Sequence, residues 1–87
     1  MPEAKSTLKI HFVGEQVAAA RRLLRITQRD LAAATGLTQK TINKFESGGN
    51  VRPETVEAIR EVLLGRGIVF TNGGEPGVKL RQKNLDV

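Results

Sequence analysis

Residues 27–46 read Thr-Gln-Arg-Asp-Leu-Ala-Ala-Ala-Thr-Gly-Leu-Thr-Gln-Lys-Thr-Ile-Asn-Lys-Phe-Glu. Thr27 followed by Asp30 is a box-like helix start, in which each side chain satisfies a backbone N–H that the first turn leaves open. Leu31 is the apolar anchor of this helix, and Ala32, Ala33 and Ala34 keep it slim enough for a neighbour to approach. Gly36 falls where a left-handed residue ends a helix, with Leu37 as the apolar contact of such a cap. Thr38 then starts another helix. On a wheel of 100° per residue Ile42 and Phe45 point one way, while Lys40, Asn43, Lys44 and Ser47 fall opposite, with Gln39 on the flank in the first turn. The stretch is therefore two short helices joined by a tight turn, the second carrying long hydrogen-bonding groups on one side.

Working outward, Val17, Ala20 and Leu24 recur three and four apart from about Glu15 to Arg25, which predicts an amphipathic helix ahead of the pair. Beyond it, Ser47-Gly48-Gly49-Asn50 has loop composition. Pro53 suits the first turn of a further helix and Glu54 its dipole. Val56, Ile59 and Leu63 form that helix's buried stripe, Glu57, Arg60 and Glu61 face water, and Gly65 and Gly67 stop it. The period then changes to that of strands. Ile68-Val69-Phe70 and Val78-Lys79-Leu80 flank a run dense in turn formers, a β-hairpin pattern. At the other end, Leu8-Lys9-Ile10-His11-Phe12 alternates like a short half-buried strand, or else is a tail packed loosely on the domain.

The fold class expected is thus mainly α: four helices with a C-terminal β-hairpin and a short N-terminal strand. The expected divisions are an extension over residues 1–13, a helical domain over 14–66, the hairpin over 67–82 and a frayed tail over 83–87.

Charge narrows the partner. The 87 residues carry a net charge of +5 and a pI near 10.3. Between Arg21 and Arg52 there are seven basic residues (Arg21, Arg22, Arg25, Arg29, Lys40, Lys44, Arg52) and two acidic ones (Asp30, Glu46), whereas the flanking segments are each neutral. The whole excess sits on the segment that holds the helix pair, which points to a polyanion. Chain length allows one domain with a modest core. With no cysteine there are no disulfides or thiolate metal sites. No apolar run is long enough for a membrane span or a secretory signal, so a cytoplasmic protein is expected. His11, the single histidine, is read as structural. Glu54, Glu57 and Glu61 align on one helix side without histidine or cysteine beside them, which reads as a solvated face and not a metal site. No cofactor is expected, and no constellation for an enzyme is present.

A helix pair of this layout is a helix-turn-helix unit, whose second helix enters the DNA major groove. Residues 21–64 resemble the Cro/repressor-type (XRE) helix-turn-helix family of bacterial and phage regulators. The resemblance lies in Arg21-Arg22-Leu23-Leu24-Arg25-Ile26-Thr27-Gln28, Leu31-Ala32, Gly36-Leu37, Thr38-Gln39, Ile42, Phe45-Glu46-Ser47-Gly48 and Arg52-Pro53. It implies a sequence-specific regulator of transcription that binds double-stranded DNA. Position by position, it implies that Gln39 reads a base edge, that Lys40, Asn43 and Lys44 also face the groove, and that Gln28 grips a phosphate. It further implies that residues 47–52, Ser47, Asn50 and Arg52 among them, lie along phosphates, and that Glu46 pairs with Arg21. Arg22, Arg25 and Arg29, together with Thr38, are the remaining candidates for phosphate contact.

Chemistry supports those roles. Asn and Gln each give and take a hydrogen bond, which suits adenine, and Lys suits guanine acceptors. Because one recognition helix covers only a few base pairs, a homodimer is expected. The fourth helix and the hairpin would form its surface if Ile68, Val69, Phe70, Val78 and Leu80 form an exposed apolar patch; the competing reading is that these residues close the monomer's core. The alternative function is an antiactivator or antitoxin-like module whose main target is a partner protein, since fold does not dictate function.

Overall fold

The computed structural model describes residues 13–71 and 76–81. Over them run four helices, α1 (Gly14–Leu24), α2 (Gln28–Thr35), α3 (Gln39–Glu46) and α4 (Pro53–Gly65), followed by strands β1 (Ile68–Thr71) and β2 (Gly77–Leu80). The strands pair antiparallel, with Ile68 opposite Leu80 and Thr71 opposite Gly77. The mainly helical architecture with a C-terminal hairpin is the one read from sequence. The expected N-terminal strand, the frayed tail and the hairpin's turn lie outside the described residues.

Local chemistry sets the helix ends. The Thr27 hydroxyl accepts from the Asp30 N–H, and the Asp30 carboxylate accepts from the Thr27 N–H, both at 2.9 Å. The Thr27 N–H bonded to it holds the Asp30 carboxyl below its usual pKa, and the Thr27 side chain adds to the effect. Gly36, at φ 80°, ends α2 in the left-handed region, and Leu37 donates its N–H back to the Ala32 carbonyl at 3.0 Å. Two residues later Thr38 caps α3, its hydroxyl accepting from the Thr41 N–H. So α2 and α3 are stopped and restarted within four residues, which sets the angle between them.

The core draws one or two residues from each helix and one from the sheet: Val17, Ala20, Leu31, Ala32, Ile42, Ile59, Leu63 and Ile68. Leu24, Phe45, Val56, Phe70, Val78 and Leu80 pack against it from the rim. Of the three alanines on α2 only Ala32 is buried, while Ala33 and Ala34 are exposed, because a helix this short turns a single stripe inward. The hairpin sits on α1 and α4, through β2 and β1 respectively. Ile68 is buried and Phe70, Val78 and Leu80 pack on the core, so these four close the monomer and do not form an exposed patch. The pairing explains this: residues 68, 70, 78 and 80 share the inward face, whereas Val69 and Lys79 share the other.

Two contacts tie the ends of the fold together. The buried Gln16 side chain accepts from the Val13 N–H at 2.8 Å and donates to the Thr71 and Gly77 carbonyls at 3.2 and 2.9 Å. One amide thus starts α1 and pins the turn end of the hairpin to it. Gly14 lies against the end of α3, where an added Cβ would stand 1.9 Å from the Phe45 carbonyl oxygen. That obstacle is backbone and cannot swing aside. Gly14→Ala is expected to lower the unfolding free energy by about 1–3 kcal/mol, the usual scale for overpacking. Urea denaturation of the two proteins measures it, and equal midpoints would show that α1 and α3 do not meet as described.

Candidate nucleic-acid interface

The surface carrying the charge excess is built on α3. Ile42 is fully buried beneath it and Phe45 half-buried. With that stripe turned inward, Gln39, Lys40, Asn43 and Lys44 are all exposed. At its far end Gly48 adopts φ 95°, and the Gly49 N–H closes onto the Lys44 carbonyl at 2.8 Å. Gly49 is so close to the Lys44 stem that a Cβ there would meet Cγ at 2.7 Å. The loop therefore folds over the root of Lys44 and leaves its ammonium free to reach outward. A groove beside α3 is lined by Thr41, Lys44, Asn50, Val51, Arg52 and Thr55, with two cations and two hydroxyls facing one space.

Beneath this surface runs a chain of polar contacts. Arg21 on α1 donates from Nε to Glu46 Oε2 at 2.7 Å and from Nη2 to Oε1 at 2.9 Å. Its Nη1 donates to the Ile26 carbonyl at 3.2 Å, inside the α1–α2 turn. The Arg21 and Glu46 side chains are only 13% and 7% exposed. Gln28 on α2 joins them, donating from Nε2 to Glu46 Oε1 at 3.0 Å and to Asn43 Oδ1 at 3.3 Å. Burial opposes ionisation of Glu46, but hydrogen bonds from Arg21 and Gln28 and the charges of Arg21 and Arg22 outweigh it, so its carboxyl titrates below the usual range. The hydrogen bond to Glu46 pushes Arg21 upward in turn.

Some residues that the resemblance assigns to phosphate also make contacts within the fold. Both amide hydrogens of Gln28 are committed to Glu46 and Asn43. Ser47 donates its hydroxyl and its N–H to the Asn43 carbonyl. In the unbound protein these two side chains each make a contact within the helix pair, and Ser47 is exposed. Thr38 is occupied as the cap of α3 and shares a hydroxyl contact with Thr41 at 2.9 Å. Arg22, Arg25, Arg29, Asn50 and Arg52 are exposed. Asn50 and Arg52 share the groove with Lys44, whereas Arg22 and Arg25 stand at the end of α1 and Arg29 in the first turn of α2. Among the described residues the ion pairs are Arg21–Glu46 and Arg60–Glu57, so six of the seven cations between Arg21 and Arg52 are unpaired. Arg25 takes φ 60°, uncommon for a side chain larger than glycine.

Sequence reasoning from the residues did not find Gln16 or the Gln28–Asn43 contact. A Gln three residues past a helix start was the available sign of the first.

A helix-turn-helix family model matches residues 17–63, more than half of the chain. The chain belongs to the helix-turn-helix family, and its domain is of the Cro/repressor type, a DNA-binding domain of regulators. No curated protein matches the chain. Among the described residues no helix is long and apolar enough to cross a membrane.

The pair at Glu46 makes stability depend on pH in a defined direction. A carboxyl whose pKa is lowered by folding contributes stability above its unfolded pKa and loses it as pH falls through the folded value. Arg21, raised from an already high value, adds no slope in that range. Glu46→Ala is expected to cost about 1.5–3 kcal/mol near neutral pH, the range for hydrogen bonds to charged groups. Urea melts between about pH 5 and 3 should show a steeper loss for the wild type than for the variant, given an unperturbed carboxyl near 4.3. Parallel curves would mean that the pair contributes no net stability.

Proposed function

We propose that this protein is a sequence-specific regulator of transcription that binds double-stranded DNA as a homodimer, with α3 in the major groove. The observation that supports it is the outer face of α3, where Gln39, Lys40, Asn43 and Lys44 are exposed on a helix anchored from behind by Ile42 and Phe45. A major groove admits one helix, and only there does each base pair present its own donor and acceptor pattern. Gln39, Lys40, Asn43 and Lys44 bring the hydrogen-bonding tips that such reading needs.

Phosphate contact falls to Arg22, Arg25, Arg29, Asn50 and Arg52, which position the protein without selecting sequence. Gln28, Thr38 and Ser47 act from within by ordering α3. Two half-sites are needed because a single short helix touches only a few base pairs. Since the inward face of the hairpin is used by the core, the dimer surface is drawn from the outward faces of α4 and the hairpin and from the strand edges.

Selection of bound duplexes from a random pool is the direct test, with a palindromic consensus as the expected result. On the selected site, Gln39→Ala and Lys44→Ala each relax preference at particular base pairs by about 1–3 kcal/mol. Arg52→Ala weakens specific and random DNA alike and reduces the salt slope by about 1. Equal losses on both kinds of DNA for all three variants would overturn the assignment of roles. A salt-insensitive complex with a protein, and none with DNA, would overturn the reading itself.

A further inference from the structure

We infer that Arg25 sets fold stability against DNA affinity: its left-handed backbone weakens the fold, while its guanidinium grips the phosphate strand that runs beside α3. That role depends on α3 lying in the major groove, and it sets Arg25 apart from the other exposed cations.

The molecule ends two helices by the same device. At the end of α2 the Leu37 N–H returns to the Ala32 carbonyl at 3.0 Å, and Gly36 takes the left-handed place at φ 80°. At the end of α1 the Ile26 N–H returns to the Arg21 carbonyl at 3.0 Å and the Arg25 N–H to the Arg22 carbonyl at 3.1 Å. Here the left-handed place, φ 60° and ψ 43°, is held by Arg25. Ile26 and Leu37 each pack on the core as the apolar member of the cap. In such a place a Cβ crowds the backbone, and glycine escapes that strain. The other positive-φ positions among the described residues, Gly36, Gly48 and Gly67, are all glycine.

Nothing inside the fold accounts for the exception. The Arg25 side chain is exposed, and among the described residues it has no ion pair. A cation suits the end of a helix, but Arg21 and Arg22 already stand in the last turn of α1. Strain with no return in the fold points to a role outside it.

The surroundings name the partner. Arg21 bonds both the Ile26 carbonyl, in the turn, and Glu46, at the last position of α3. Gln28 reaches Glu46 and Asn43. Residues 25–28 therefore flank the C-terminal half of α3. A helix with its side chains is about 10–12 Å across and a major groove about 12 Å wide, so α3 fills the groove and what flanks it meets a bounding phosphate strand. A guanidinium is permanently charged, and its planar fork matches phosphate oxygens.

The test uses the full chain as wild type, Arg25→Gly and Arg25→Lys, in urea melts and in DNA titrations at several salt concentrations. The probes are a duplex selected from a random pool and one of scrambled sequence. Arg25→Gly should raise the urea midpoint by about 0.5 M, relief of strain outweighing the greater freedom of glycine in the unfolded chain. The same variant should bind both duplexes about 3–10-fold more weakly, with the salt slope reduced by about 1. Arg25→Lys keeps the strain and the charge, so its midpoint should match the wild type and its affinity stay within about threefold.

A protein that is more stable yet binds less is the expected mark, because damage to the fold would lower both. An equal or lower midpoint in Arg25→Gly would show that no strain is stored there and overturns the inference. A raised midpoint with unchanged affinity and salt slope overturns the phosphate contact. A raised midpoint when no form binds any duplex sinks the docking of α3 itself, and the contact falls with it.

Discussion

The fork between Arg21 and Glu46 is the interaction on which the rest of the molecule depends. Ion pairs at protein surfaces contribute little, because water screens them and long side chains must be ordered to form them. This one is shielded, and shielding carries a desolvation cost that is recovered only where every polar atom is satisfied. Both guanidinium nitrogens turned toward Glu46 are matched by carboxylate oxygens, Gln28 adds a second donor to Oε1, and Nη1 finds the Ile26 carbonyl. The pair thereby binds α1, the α1–α2 turn, α2 and α3 through two side chains. An eight-residue helix such as α3 has no stability of its own in water. Its hydrophobic hold is Ile42 and one side of Phe45, and an acid at its last position opposes the helix dipole. Arg21 reverses that penalty and supplies the second point of attachment, so the outward aim of Lys40 and Lys44 follows from a contact on the opposite side of the helix.

What could be read from the sequence follows a physical division between local and distant causes. The limits of α2 and α3 were legible because Thr27, Asp30, Gly36 and Thr38 act on backbone within four residues of themselves. The start of α4 was legible because Pro53 suits only a first turn. The stripe through Ile42 and Phe45, and the exposure opposite it, follow from helical period alone. The partnership of Arg21 with Glu46 came only through family resemblance, since nothing in a separation of 25 residues announces it. Gln16 was missed because a glutamine on a helix ordinarily faces water, and its carbonyl partners lie 55 and 61 residues away. The direction of the hairpin was open for a related reason. Two alternating strands state which residues share a face, but only the position of α1 and α4 decides which face is covered.

The same division applies within the interface. Residue types on α3 show what it can offer a base, yet an amide's useful end depends on what holds its other end. Gln28 was assigned outward by analogy, whereas the structure turns it toward Glu46, where a fixed carboxylate is a better partner for an N–H than water. Ser47 is similar: its hydroxyl returns to the helix that it ends, as serine does near helix termini. The result is a helix with Asn43 and Glu46 held in defined orientations in the unbound protein.

Charge is shared out in a matching way. Folding consumes one of the seven cations, Arg21, and leaves six unpaired among the described residues. Attraction by those six toward a polyanion is long in range, indifferent to sequence and weakened by salt. Discrimination is short in range and depends on the orientation of a few amide and amine tips. Because Glu46 both completes the buried pair and sets the polarity of Gln28, it stands where these two levels meet. Loss of its charge removes a fold contact and, in the same step, the charged acceptor of the Gln28 amide. Stability therefore rests on this residue, whereas Arg52 has no ion-pair partner among the described residues.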